Sequence, residues 1–230
     1  VSRVLSNQMH VSSSTYKRIQ DAVAELNYIP NSSAVSLVKK SSTTVLYADS
    51  FYKGRPYENP HMFDIISGSS HELRKKGYFL GLLDLDRSRE KAEEQIITAI
   101  QSKTADGILI NGYYVTPSIE KILLATDFPH VCIGKPAFDS MLSWIDTNHS
   151  LSSSLAITHL VSLGHKKIAF VGGSDKDNIY KDRFLGYRLS LARNNLSSYD
   201  AYVIPTSSSL EEIIQRTTAL LRLPEPPDSI

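Results

Sequence analysis

Residues 150–173, SLSSSLAITHLVSLGHKKIAFVGG, decide the fold. Up to Leu163 the stretch reads as a helix, and Gly164 closes it. KIAFVGG is then an apolar run of strand length ended by two glycines. Read outward in both directions, the same couplet recurs. TVLYAD (44–49) is a strand, followed by a helix over about 63–76 closed by Gly77. YFLGLLDLD (78–86) precedes a helix over about 89–102. DGILIN (106–111) and HVCIG (130–134) bracket a helix over about 118–125, and LSWID (142–146) offers one more short strand. Beyond residue 173 come a helix over about 179–194, the strand AYVIP (201–205) and a helix over about 210–221. Alternating strands and helices with continuous apolar strands predict an α/β fold, a parallel sheet covered by helices on both faces. Ligands of such sheets sit at the carboxyl ends of strands. Those ends carry Asp49-Ser50-Phe51, Asp84, Asn111-Gly112, Gly134-Lys135 and Gly172-Gly173-Ser174.

The 230 residues suffice for one large or two small domains, with 41% hydrophobic and 21% charged residues, as in ordinary globular chains. A chain of this size needs no disulfide staples, and its single cysteine, Cys132, has no internal partner, which favours a cytoplasmic setting. No apolar run approaches the roughly 20 residues of a membrane span, and the first ten residues contain no secretory apolar stretch. The formal net charge is +1 but is unevenly spread. Residues 1–40 hold five basic side chains (Arg3, Lys17, Arg18, Lys39, Lys40) against two acidic ones (Asp21, Glu25), whereas the rest holds 20 against 22. A small basic head on a nearly neutral body suggests a polyanionic partner for the head alone.

The head is punctuated like a pair of helices. In VSRVLS, Val1, Val4 and Leu5 share one helical face and Ser2, Arg3 and Ser6 the other. NQMH breaks the pattern. Ser12 then caps a second helix, with Val11 and Tyr16 spaced as a hydrophobic staple and Ile19, Ala22, Val23 and Leu26 as the apolar stripe. Asn27 tolerates a left-handed cap and Pro30 forbids continuation. NSSAVSLVKKSS (31–42) offers about two turns capped by Asn31, too short to be stable in water without a partner, and then a Ser/Lys linker.

Nothing points to catalysis. There is no G-x-S-x-G elbow, no phosphate-binding G-x-x-x-x-G-K-[ST] loop and no paired-cysteine metal site. His159 and His165 straddle a helix end rather than share a face, which favours surface or packing roles over metal ligation. VGGSDKD (171–177) lacks the third glycine of a dinucleotide fingerprint. The chain is read as a non-enzyme with neither cofactor nor metal.

Three separated segments carry a resemblance: V-S-R-V-L-S with H-V-S-S-S-T and A-V-A-E-L-N-Y-I-P-N in the head; H-L-V-S-L-G-H-K-K-I-A-F-V-G-G; and D-R-F-L-G-Y. In order and spacing they resemble the lactose-repressor (LacI/GalR) family of bacterial transcription regulators, starting inside the recognition helix. Within the family, Y-E-N-P-H-M-F, I-G-K and Y-K-D-R-F-L-G-Y resemble the maltose-type branch. The resemblance implies a partial helix-turn-helix headpiece over 1–30, a hinge helix and linker over 31–43, and a periplasmic-binding-protein-like effector domain over 44–230. That domain would comprise two parallel-sheet subdomains, 44–148 and an incomplete 149–230. It further implies a cytoplasmic homodimer that binds double-stranded operator DNA, with a sugar or sugar-phosphate effector in the cleft between subdomains.

Residue by residue, the family places Ser2, Arg3, Ser6, His10, Ser12, Asn31 and Leu37 against DNA. Arg3 projects from the polar face of its helix, as an arginine reading a base edge must. An asparagine usually stands where this chain has Ser6. Ser12 serves equally as a helix cap. Leu37 would be the apolar wedge driven between base steps in the minor groove, on a helix ordered only with its dimer mate on DNA. On the effector side, the D-R-x-x-G-Y arginine, Arg183, would fork onto sugar hydroxyls; a salt bridge with Asp182 or Asp177 is the plainer alternative. Asp146 and Asn148 could contact the sugar or simply shape a turn and a cap. Phe51, like Tyr57 and Phe63, offers a flat face for a sugar ring or for the core. Lys135 stands where many members have arginine.

The family's first DNA-binding helix, its later Asn-Asp segment and the closing aspartate of its sugar site have no counterpart in these residues, so both ends read as cut. A transport-type sugar-binding protein of the same fold is the alternative. It would carry no such head.

Overall fold

The computed structural model describes residues 4, 12–28, 41–51, 60–174, 178–206 and 209–230. The head contributes helix α1 (Ser13–Glu25). Ser12 caps it, its Oγ accepting the Thr15 N–H at 3.4 Å, and Asn27 adopts the left-handed φ of +45° that ends it. None of its residues is buried, and Leu26 of the apolar stripe is 75% exposed.

The body alternates as its sequence predicts: β1 (Thr44–Asp49), α2 (Pro60–Lys75), β2 (Phe79–Asp84), α3 (Arg89–Gln101), β3 (Gly107–Asn111), α4 (Pro117–Thr126), β4 (His130–Ile133) and β5 (Trp144–Ile145). Then follow α5 (His149–Ser162), β6 (Phe170–Val171), α6 (Asn178–Arg193), β7 (Val203–Ile204) and α7 (Leu210–Leu221). One sheet has the order β2-β1-β3-β4-β5 and a second pairs β6 with β7. The registered pairs are all parallel: Thr44↔Phe79 through Asp49↔Asp84, Val45↔Gly107 through Ala48↔Ile110, and Phe170↔Val203.

The chain divides into two compact units, residues 1–131 with 140–143, and residues 132–139 with 144–230. The core of the first gathers Tyr47 and Ala48 of β1, Ile108 and Ile110 of β3, Ile96 and Ile100 of α3, and Ile119 and Leu123 of α4, all buried. Each of the isoleucines and Leu123 stabilises the fold by about 1.5–3 kcal/mol relative to exposure.

In the second unit, Ile157, Ile168, Tyr187 and Leu191 form one core cluster and Ala169, Tyr202 and Leu220 another. Tyr187 is fully buried and its hydroxyl donates to the Ile168 carbonyl at 2.9 Å; burial raises the pKa of that phenol. Helices α5 and α6 pack so closely that a Cβ on Gly186 would sit 2.1 Å from the Ser150 carbonyl oxygen. The glycine of D-R-F-L-G-Y is therefore a packing requirement. Asp228 ties the chain's last residues to the second sheet by accepting the backbone N–H groups of Lys166 and Lys167 at 2.9 and 3.1 Å. Desolvation opposes its ionisation, but those bonds and the nearby His165 hold its pKa below the ordinary value.

Two expected strands are shorter than their apolar runs. KIAFVGG contributes only two residues to β6, because its neighbours are themselves short: Ile168 meets Ser229 in an isolated bridge and Gly172 N–H donates to Ile204. In AYVIP, residues 200–202 form a 3₁₀ turn that buries Tyr202 before β7 begins.

Candidate functional site

At the carboxyl ends of β1 and β3, Asp49 and Tyr47 share a face by strand alternation, and the β1–β3 register brings Asn111 beside them. The Asp49 carboxylate is buried. Its Oδ2 accepts from the Tyr47 hydroxyl at 3.0 Å and from Asn111 Nδ2 at 2.9 Å, and its Oδ1 from the Ser50 N–H at 2.7 Å. Asn111 Oδ1 in turn accepts the Tyr113 N–H. Phe51 follows directly: its N–H donates to Asp84 Oδ1 at 2.8 Å, and its half-buried ring stands 5.9 Å from that of Tyr47. Phe63 is 57% exposed on α2, while Tyr57 lies outside the described residues.

The second unit presents a different set. Asp146 Oδ2 accepts the Lys135 N–H at 2.8 Å and Oδ1 the Thr147 N–H at 2.7 Å, so both oxygens shape the turn after β5. Asn148 caps α5, its Oδ1 accepting the Leu151 N–H at 2.9 Å. His149, the first residue of α5, is buried, and neither ring nitrogen has a hydrogen-bond partner among the described residues. Its Nε2 lies 3.2 Å from Asp146 Oδ1, within ion-pair distance for a protonated ring but outside hydrogen-bond alignment. Lys135 Nζ stands 5.8 Å from the centre of the half-exposed Trp144 ring.

Arg183 lies on the exposed surface of α6 and makes no hydrogen bond or ion pair among the described residues. The alternative salt bridge to Asp182 is not formed, and Asp177 lies outside the described residues. A pocket of about 290 Å³ opens between residues 135–139 and the start of α6, lined by Lys135, Phe138, Asp139, Asn178, Lys181 and Asp182 among others. It combines an aromatic face with paired cations and anions, a lining suited to a hydroxyl-rich ligand.

Of the DNA-directed residues only Ser12 is described. It is exposed and acts as the α1 cap, bonded also to Thr15 Oγ1 at 2.9 Å. Ser2, Arg3, Ser6, His10, Asn31 and Leu37 lie outside the described residues. His165 pairs with Asp228 at 3.4 Å, a packing role. No group of three or more His, Cys, Asp or Glu among the described residues could hold a metal ion. Among them, no helix is long and apolar enough to cross a membrane.

Phe138, Asn178 and Lys181 join the pocket lining without having been candidates from the sequence. Asp49 and Asn111 carried one signal, their place at strand ends. The pocket residues carried none, since segments 40 residues apart form it.

Comparison with known proteins agrees with these features. Residues 40–230 match the family model of periplasmic binding proteins and the sugar binding domain of the LacI family. The chain belongs to the LacI family. Residues 1–31 match the model of bacterial regulatory proteins of the lacI family, which assigns the LacI headpiece to the segment holding α1. The HTH-type transcriptional regulator MalR of Streptococcus pneumoniae serotype 4 is 26% identical over 212 residues, covering 92% of this chain and 64% of that protein. The chain thus spans somewhat under two thirds of that relative's length. A putative LacI transcriptional regulator from Bacillus cereus subsp. cytotoxis NVH 391-98 superposes with a TM-score of 0.67 at 25% identity, covering 80% of this chain and 65% of that one. A CelR–cellobiose complex superposes with a TM-score of 0.68 at 21% identity, covering 96% and 65%. These likenesses establish the periplasmic-binding-protein-like α/β fold of LacI regulators.

Proposed function

We propose that this LacI-family chain is part of a ligand-responsive, sequence-specific DNA-binding repressor of carbohydrate-use genes. It acts in the cytoplasm as a homodimer on double-stranded operator DNA. Residues 1–30 belong to the headpiece, 31–43 to the hinge and 44–230 to the effector domain. Ser2, Arg3, Ser6, His10 and Ser12 face the operator, with Asn31 and Leu37 acting through the hinge. A sugar or sugar phosphate is the effector, with Phe51, Asp146, Asn148 and Arg183 as its candidate contacts.

The observation that carries the reading is Arg183. A guanidinium exposed on α6 without a partner among the described residues, following Asp182 of the pocket lining in sequence, offers fixed donors to paired hydroxyls. The family model of residues 40–230 names a sugar binding domain, which supports the same ligand class. Asp146 and Asn148 already serve the turn and the α5 cap, so they contribute through their remaining hydrogen-bonding capacity. The headpiece match over residues 1–31 argues against a transport-type binding protein. The test is a thermal-shift screen of the full-length protein against mono-, disaccharides and sugar phosphates, paired with selection of duplexes from a random pool. A sugar that raises the melting temperature and a selected consensus duplex are expected. No stabilising carbohydrate, or no consensus, would sink the corresponding half of the reading.

A further inference from the structure

The Ser-rich segment that leaves the head reaches the body at residues 41–44, where one carboxylate holds it. Asp106, half-buried just before β3, accepts from Ser41 Oγ and from the Thr43 N–H (2.9 Å) on Oδ2, and from the Ser42 N–H (2.7 Å) and Oγ (3.0 Å) on Oδ1. Its own N–H donates to the Thr44 carbonyl at 2.8 Å, and the Thr43 carbonyl accepts from Phe79 at the start of β2. Two successive backbone N–H groups converging on an anion form a nest, here closed by two hydroxyls. Desolvation works against the charge, yet the bonds from Ser41, Ser42 and Thr43 outweigh it, and the Asp106 pKa lies below the ordinary carboxylate value.

The clamp holds an unfavourable conformation. Thr43 has a φ of +51°, a left-handed backbone that a β-branched residue adopts only where its surroundings impose it. Removing the carboxylate would remove the bonds that hold Thr43 in this region.

The clamp also sits at one end of a two-strand strut. β1 and β3 pair in register from Val45↔Gly107 to Ala48↔Ile110. Asp106 binds residues 41–44 at one end of that pair, and Asp49 binds Asn111 at the other. About five residues of strand, roughly 17 Å, separate the two tethers.

We propose that Asp106 is a positioning residue for DNA recognition: by holding residues 41–44 and the left-handed Thr43, it fixes the direction in which the hinge segment leaves the effector domain. This rests on the reading of residues 31–43 as hinge and linker. The experiment uses the full-length protein and a duplex enriched by the unmodified protein from a random pool, with a scrambled duplex beside it. Asp106→Ala should weaken binding to the enriched duplex at least tenfold and leave the scrambled duplex within twofold. Asp106→Asn, which keeps the shape and one acceptor, should fall between. Hydrogen exchange at the Ser42 and Thr43 amides should accelerate in both variants.

Asp228→Ala supplies the control, because it removes a comparable carboxylate–backbone clamp from the second unit; it should lower the melting temperature without changing duplex affinity more than twofold. Adding Thr43→Asn to Asp106→Ala should recover part of the lost affinity, since asparagine tolerates the left-handed region. Unchanged enriched-duplex affinity in Asp106→Ala overturns the inference and leaves the regulator reading standing. An equal affinity loss in Asp228→Ala overturns it too, because general destabilisation then explains the effect. If the unmodified protein enriches no duplex, the regulator reading falls and the inference with it.

Discussion

In the first unit the buried Asp49 carboxylate accepts three hydrogen bonds, from Tyr47, Asn111 and Ser50. In the second unit the Arg183 guanidinium, the His149 ring and the Thr206 hydroxyl make none among the described residues, although His149 and Thr206 are buried. The first set lies at the carboxyl ends of β1 and β3, and the second at the start of α5, within α6 and just after β7. The contrast is in how hydrogen-bonding capacity is used. A group satisfied within its own unit stabilises the fold and is held in one geometry. An exposed group without a partner contributes little to folding, whereas a buried one costs stability, and either keeps its donors or acceptors for a ligand. The first unit is not uniform either, since His130 Nε2 is buried there without a hydrogen-bond partner among the described residues; the contrast is between the Asp49 cluster and these individual groups.

Asp49→Ala is the change that should cost most in stability. It takes an acceptor from the Tyr47 hydroxyl, Asn111 Nδ2 and the Ser50 N–H together, in a buried site. A loss of about 3 kcal/mol is expected, since each buried group left without its partner costs ~1–3 kcal/mol. Thermal melting should fall by roughly 6–12 °C for a chain of this size. A shift under 2 °C would mean that the cluster is not held by Asp49, and the contrast would collapse.

Arg183→Ala should do the reverse. With no partner among the described residues to lose, the variant's stability should stay within about 0.5 kcal/mol of the unmodified protein's. Affinity for the stabilising sugar found by screening should drop by about 1.5–3 kcal/mol, the value of hydrogen bonds to a charged group. Calorimetric titration reads the second quantity. A destabilised protein with unchanged sugar affinity would return Arg183 to a surface ion pair.

Asn148→Ala tests a residue that belongs to both categories. Its Oδ1 caps α5 through the Leu151 N–H. Losing that cap should cost about 1 kcal/mol of stability, measured by urea denaturation. If Asn148→Ser retains stability while sugar affinity falls, the amide has a second duty beyond the cap.

How much of this was legible beforehand follows the range of the interactions. The Ser12 cap, the Asn27 terminus and the couplet ending in Gly164 depend on neighbours within a few residues, and they could be read directly. Strand ends, and with them Asp49 and Asn111, could be located but not paired, because their bond joins residues 62 apart through a register that no local pattern fixes. The Asp106 clamp was hidden for a similar reason: Ser41 and Ser42 have linker composition, and only the carboxylate 64 residues later orders them. Gly186 read as part of a family motif, while its cause, contact with Ser150, is a fact of helix packing. The strands of the second unit are shorter than their apolar runs, since an apolar run sets how much chain can pair and its neighbours set how much does.

Thr206→Val should have the smallest effect and gives the cleanest test of the contrast. Thr206 follows β7, its N–H donates to the Gly173 carbonyl at 2.9 Å, and its side chain is buried with Oγ1 lacking a partner among the described residues. Valine keeps the branched shape and removes only the hydroxyl. Where the hydroxyl has no hydrogen bond, its burial is a net cost, and replacement should leave stability unchanged or raise it by up to about 1 kcal/mol. The backbone bond to Gly173 survives the change, so refolding of the turn is not a complication. If the sugar uses this hydroxyl, affinity should fall while stability does not, and the fall should be absent in Thr206→Ser, which keeps it. A stability loss above about 1 kcal/mol would show that Thr206 Oγ1 is satisfied in solution, and that it does not belong with the groups left without a partner.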